Sequence, residues 1–311
     1  VKHSAWYRST SNNFVSTSSG YEDLHLKEGA DAINVGASLS GTFTDDIDGE
    51  TRSGTWDMGA DEYFPATPFE YRRPLTFEYD NRGASCGTSF TLSNYPVLVS
   101  LSNKTYLKTV ENGGHVYSPA GYDIIFRLSG SKDQLPHEIE KYDGETGTLV
   151  AWVQIPSLFT GNADTKIYMY YGNSDITTKT EDPAGVWNET DNGYQRVFHL
   201  NGNANDSTGT YDGNVLGATS TADGKFGGAY SFDGNDWIDA NFAPTYGNFT
   251  IEAWFYRNNS GSLPQYAVGS KYGDSLAAIY QGGTYFTWEV YDSGGSGDDA
   301  LLSGTYHSAW H

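Results

Sequence analysis

The chain has one cysteine, few basic residues and no long apolar run, and each shortage closes off a class of protein. Cys86 stands alone among 311 residues, so no internal disulfide can form, and cysteine usage says nothing about secretion. Lys and Arg total 18 against 39 Asp and Glu, a balance of −21. A surface of that sign repels phosphates and anionic lipid heads, so neither nucleic acid nor a membrane surface is an expected partner. No window approaches the roughly 18 consecutive apolar residues a spanning helix needs, so no membrane insertion is expected. The opening "VKHSAWYRST" has neither an initiator Met nor the apolar stretch of a signal peptide. The closing "SGTYHSAWH" still alternates like a strand. Both ends are therefore expected to be cuts in a longer protein.

What the chain has in quantity is aromatic and turn-forming residues. Aromatics make up 15%, with 24 Tyr and 8 Trp, alongside 37 Gly. Helical periodicity is almost absent, whereas period-two runs recur: "PLTFEYD", "YPVLVSLS", "DIIFRLS", "TLVAWVQI", "TKIYMYY", "GAYSFDG" and "FTIEAWFY". Short strands at this density, separated by Gly, Asn and Asp, predict an all-β chain of sandwiches or barrels. The length suits two or three domains. Breaks are expected at "FPATPFEY" (64–71) and at "ITTKTEDPAG" (176–185), where proline and polar residues interrupt the aromatic runs.

Three segments carry resemblances. In residues 1–64, Leu26, Gly29, Ala30, Ala32, Ile33 and Gly36 precede Asp46-Ile47-Asp48-Gly49, Arg52 and Asp57-Met58-Gly59-Ala60-Asp61-Glu62-Tyr63. This resembles the last coil and closing segment of right-handed parallel β-helix proteins of bacterial surfaces, which implies a β-helix body upstream. Residues 69–177 carry Arg72-Arg73-Pro74, Tyr95-Pro96-Val97, Asp123-Ile124, Leu135-Pro136, Glu138, Glu140, Trp152-Val153 and Tyr170-Tyr171-Gly172-Asn173. The segment looks like a β-sandwich domain of unknown function common in bacterial and archaeal surface proteins. Residues 184–311 hold "VWNETDNGYQRVFHLNGNANDSTG", "ADGKFGGAYSFDGNDWIDA" and "FTIEAWFY". These resemble the laminin-G-like branch of the concanavalin A-like jelly roll, and the resemblance implies that the jelly roll is incomplete at His311.

The motifs that would carry catalysis are lacking. Jelly-roll glucanases place carboxylates at E-x-D-x-x-E so that alternate residues face one cleft. Here "EVYD" (289–292) lacks its second Glu and "EKYDGE" (140–145) has the wrong spacing. "HEIEK" (137–141) has Lys141 where a zinc-protease helix needs its second His, and it reads as an exposed edge strand with charged teeth. No catalytic residues are therefore expected.

Binding chemistry is better represented. "DDIDGE" (45–50) has alternating carboxylates but Thr44 and Thr55 at the ends an EF-hand loop would need, and "GGSGDD" (294–299) is a single β-roll-like copy. The laminin-G-like resemblance implies calcium at one rim, with Asp206, Asp233 and Asp236 as ligands, although Asp and Asn in such loops also act as turn formers. Sugar binding would use aromatics beside polar turns. Trp237, Asn235, Tyr211 and Tyr266 are the candidates, with Tyr246 and Tyr285 chemically similar. Trp237 reads equally as core or binder, and Trp254 as core. The expected protein is a non-catalytic extracellular or cell-surface module that binds glycans or surface proteins. The alternatives are a stalk or filament subunit that associates through sheet edges, and an accessory region of a polysaccharide-degrading enzyme.

Overall fold

The computed structural model describes residues 13–16, 23–27, 29–44, 46, 52, 55–60, 69–78, 91–128, 131, 133–159, 164–242, 250–256, 265–268, 278–282, 285–291 and 297–303. The predominantly β expectation holds: among the described residues strands dominate, and the helices lying wholly within them are single turns. The chain divides into two compact units, Val1–Tyr194 and Gln195–His311. No helix among the described residues is long and apolar enough to cross a membrane.

The first unit opens with a small cluster. Strand β1 (Phe14–Ser16) pairs antiparallel with β2 (Asp23–Leu26). Phe14, Leu26, Ala30 and Ala32 bury their side chains together, with Ile33 and Met58 against them. The buried Asn13 amide oxygen accepts from the Ala32 N–H at 3.0 Å, and Met58 N–H donates to Ala32 C=O at 2.8 Å. The guanidinium of Arg52 lies over the rings of Phe43 and Trp56 and donates to the Gly59 carbonyl at 2.9 Å.

The body of this unit is two antiparallel three-stranded sheets. One has the order β3-β8-β5, from β3 (Tyr71–Phe77), β5 (Ile125–Leu128) and β8 (Thr165–Tyr171). The other has the order β4-β7-β6, from β4 (Thr91–Leu101), β6 (His137–Asp143) and β7 (Thr148–Phe159). The period of two sorts the side chains. Leu149, Ala151, Val153 and Ile155 of β7 and Ile167, Met169 and Tyr171 of β8 enter one core with Val99, Leu107, Val116, Ile124, Phe126 and Leu135. Each such side chain contributes roughly 1.5–3 kcal/mol by leaving water. The edge strands carry Pro74 and Pro96, opposite Tyr168 and Gln154. Proline is tolerated there because one side of an edge strand has no ladder to donate to, and it blunts pairing with another chain.

The other edge, β6, is closed differently. Asp182 N–H donates to His137 C=O at 2.9 Å, and the Ile139 N–H reaches the Glu181 carboxylate at 2.7 Å. Segment 176–187 thus lies along the strand, held also by Thr180 Oγ1 on the Tyr122 carbonyl at 2.7 Å. The short helix α1 (Pro183–Val186) follows, capped by the Asp182 carboxylate, and Val186 and Trp187 are buried. A second turn, α2 (Glu189–Asn192), is capped by Asn188, and its Asn192 side chain donates to Asn94 C=O at 3.0 Å. The exposed edge expected at 137–141 is corrected accordingly. His137 and Ile139 do share one face, but His137 is fully buried against Phe126. A bulge falls between Ile139 and Lys141, and the two glutamates are occupied: Glu138 accepts the Trp187 indole N–H at 2.6 Å, Glu140 that of Trp152 at 2.8 Å.

Four strands of the second unit form a meander, β13-β14-β15-β16 (Gln265–Val268, Ala278–Gly282, Tyr285–Tyr291, Gly297–Ser303). The other four form two antiparallel pairs. Strand β9 (Asn214–Leu216) pairs with β12 (Trp237–Asp239), and β10 (Thr219–Thr221) with β11 (Ala229–Ser231). The run "FTIEAWFY" is not a strand over its described residues 250–255. Trp254, expected in a core, is 56% exposed, edge-on to Phe226 and 4.6 Å from the Lys225 ammonium. With no ladder over those residues, the alternation has no sheet face against which to bury the indole.

Burial holds the His137 imidazole below its ordinary pKa of 6.5, against the smaller raising effects of Leu135 C=O and Glu181. A depressed folded value means that the unfolded chain takes up the proton first. Stability is therefore complete above about pH 6.5 and falls as the pH drops toward the folded pKa. Denaturant titrations from pH 7.5 to 5 should show this loss, and His137→Leu should flatten it; an unchanged slope in the variant would contradict the burial argument.

Candidate functional site

The candidate residues of the second unit sit on the loops that flank the β9–β12 pair. Their anchor is Asp206, whose side chain is fully buried. Its Oδ1 accepts from Val197 N–H at 3.0 Å and Thr208 N–H at 3.1 Å. Its Oδ2 accepts from Thr208 Oγ1 at 2.7 Å and Tyr211 N–H at 3.3 Å, with Arg196 Nε 3.8 Å away. The sequence dictates this locally: "NANDSTGTYDG" is a run of turn formers, in which an Asp carboxylate satisfies backbone donors that no strand serves. Burial alone would raise the Asp206 pKa, but the N–H and O–H donors outweigh it and hold the group below the ordinary carboxylate value.

Arg196, fixed beside Asp206, places its guanidinium 5.0 Å from the Tyr211 ring and 5.0 Å from the Phe242 ring. Tyr211 is 59% exposed, so one flank of the ring rests on a cation while much of the rest meets water. The Asn241 amide, next to Phe242, donates to Asp212 C=O at 2.8 Å and closes the two loops on each other.

At the other end of the pair lies the turn 233–236. Asp233 N–H donates to Asp236 Oδ2 at 2.9 Å, and Asn235 N–H to Asp233 Oδ1 at 3.4 Å. Gly217 approaches this turn with φ +87°, the left-handed region that favours glycine, and a Cβ there would lie 2.1 Å from Asp236 Oδ1 and push that carboxylate aside. The turn delivers Trp237, opposite Leu216 and 45% exposed. Trp237 is therefore not a buried core residue.

The structure brings Asn235 and Trp237 together in one turn, with Asp233 and Asp236 as its internal acceptors. Tyr211 and Asp206 belong to the Arg196 cluster instead. Tyr266 lies on β13 and Tyr285 on β15, with side chains outside the described residues; Tyr246, residues 47–50 and residues 292–296 also lie outside them. Among the described residues no group of three or more His, Cys, Asp or Glu side chains is placed to hold a metal ion. The donors on Asp206 leave it poorly suited to calcium, which would have to displace them. Sequence reading passed over Arg196 and Phe242. Arg196 had one signal to offer, as the only Lys or Arg between Lys179 and Lys225.

Residues 120–199 match a family described as a domain of unknown function (DUF2341). The matched stretch runs from the loop before β5 through β8, α1 and α2. No curated protein and no solved structure matches the chain.

Asp206→Ala would leave three backbone N–H groups, a hydroxyl and a guanidinium without their acceptor, a loss of about 3 kcal/mol for a buried group of this kind. Denaturation of the full chain followed by Tyr and Trp fluorescence should show the second unit unfolding earlier. A transition equal to that of the parent chain would remove Asp206 as its anchor.

Proposed function

We propose that this chain is a non-catalytic, extracellular or cell-surface binding module that holds glycans, or the glycan-bearing surface of a protein, through the loops of its second unit. The carrying observation is that Trp237 and Tyr211 stay 45% and 59% exposed while the backbones that present them are locked by Asp236, Asp206 and Gly217. Rigid, exposed aromatic rings beside amides and hydroxyls are the chemistry that stacks on a pyranose and reads its hydroxyls. Asn235 beside Trp237, and Thr208 and Thr210 beside Tyr211, supply the polar groups.

The proposal includes the finer architecture of the resemblances: a β-helix end over 1–64, the sandwich over 69–177 and a laminin-G-like jelly roll over 184–311. It also includes calcium at one rim, which Asp206, Asp233 and Asp236 would hold by giving up N–H hydrogen bonds that each now accepts. The stalk or filament alternative has Pro74 and Pro96 on the sandwich edges against it. An enzyme-accessory role would be the same binding chemistry placed beside a catalytic domain.

A glycan array probed with the full chain, with and without EDTA, is the direct test. Binding should fall by about tenfold or more in Trp237→Ala, the usual scale for one stacking aromatic. A blank array, or an unaffected variant, would sink the proposal, and an EDTA-insensitive signal would remove calcium from it.

A further inference from the structure

A second cluster lies in the first unit, at the end of β3. Strand β3 carries Tyr71 and Arg73 on the same side. Tyr71 stacks on His115 with ring centroids 4.0 Å apart, and on Tyr171 at 5.5 Å. Tyr106, from the single 3-10 turn Thr105–Leu107, tilts against Tyr171 at 5.9 Å. Arg73 rests on this assembly: its guanidinium carbon is 3.9 Å from the Tyr106 centroid, and its Nε donates to the Tyr171 hydroxyl at 3.3 Å. Its two terminal nitrogens have no acceptor among the described residues, and the residue is exposed.

Two explanations of this arginine can be weighed. An inward-side charge on an edge strand discourages pairing with another chain. Here Pro74, the next residue, already interrupts that edge, so Arg73 is not required for the purpose. The other explanation is a ligand. A guanidinium whose Nε and face are both engaged cannot swing away, and it presents its outer pair of N–H donors as a fixed fork. A fork of that shape matches a planar carboxylate in two parallel bonds. The rings of Tyr71, Tyr106 and His115 are engaged with one another and with Arg73, so they hold the fork in place, and the Tyr106 phenol and the His115 ring nitrogens are polar groups of the same cluster. The overall charge of −21 selects further: it repels polyanions such as nucleic acid, and leaves a singly charged carboxylate as the anion best tolerated.

We propose that Arg73, Tyr106, Tyr71 and His115 form a binding site for an acidic saccharide, with the Arg73 fork on the carboxylate of a hexuronate residue. This site belongs to the sandwich and is independent of the Trp237 loops.

The test is calorimetry of the full chain with the methyl glycoside of galacturonate, which carries a single carboxylate, its methyl ester, and inorganic phosphate. The acid should bind and the ester should not. Arg73→Gln should weaken binding by about tenfold or more, the scale of a lost hydrogen-bonded charge pair. Arg73→Lys, which keeps the charge and loses the fork, should lose most of the affinity. Trp237→Ala should leave it unchanged, which separates this site from the one in the second unit. The thermal midpoint of each variant is read alongside; should Arg73→Gln fail to fold, Arg73→Lys and Tyr106→Ala decide. No binding of the acid, equal binding of the ester, phosphate competing as tightly as the uronate, a parent-like Arg73→Gln, or loss in Trp237→Ala would each overturn the proposal.

Discussion

The first unit depends on one buried carboxylate. Asp123, fully inaccessible to water, sits just before β5 and accepts four backbone N–H groups: Tyr117 at 2.9 Å, Ser118 at 2.9 Å, Gly172 at 3.2 Å and Asn173 at 3.3 Å. Those donors come from two stretches about fifty residues apart, the loop before β5 and the exit of β8. A buried charge is tolerable only when donors replace its water, and buried N–H groups are tolerable only when something accepts from them. Each requirement meets the other here. Gly172 makes the geometry possible, with φ +82° and a would-be Cβ 2.6 Å from the Tyr71 ring. Fixing the end of β8 in turn fixes Tyr171, on which Tyr71, Tyr106 and Arg73 all rest.

Asp206 repeats the device in the second unit, on loops rather than strands. In both places a short acidic side chain organises backbone that regular pairing does not reach. This gives part of an acidic composition a structural use: some of its carboxylates are internal acceptors rather than solubilising charge or metal ligands.

The strands of the sandwich were legible in the sequence because alternation is imposed by geometry. "TLVAWVQI" and "TKIYMYY" alternate because every second residue of β7 and β8 enters the core. The same logic failed for "FTIEAWFY", since alternation marks a sheet face only where a neighbouring strand pairs. Trp237 was ambiguous for a related reason: exposure depends on what covers a turn, which is a tertiary fact. The closure of β6 by segment 176–187 was hidden too, since polar residues next to Pro183 look like a linker whether or not their donors find a strand. Arg196 and Arg73 were invisible as site residues, because their meaning lies in the rings they touch, from residues 211 and 242 and from 106 and 171.

In the proposed function the second unit presents Trp237 and Tyr211 on locked loops, and the proposed Arg73 site belongs to the first unit. Hydroxyl-radical footprinting of the full chain with a glycan bound addresses that central claim most directly. Trp237 and Tyr211 should lose reactivity in the complex, while Trp152 and Trp187, tied to Glu140 and Glu138 in the sandwich, should not change. Protection that leaves Trp237 and Tyr211 as reactive as in the free chain would contradict it.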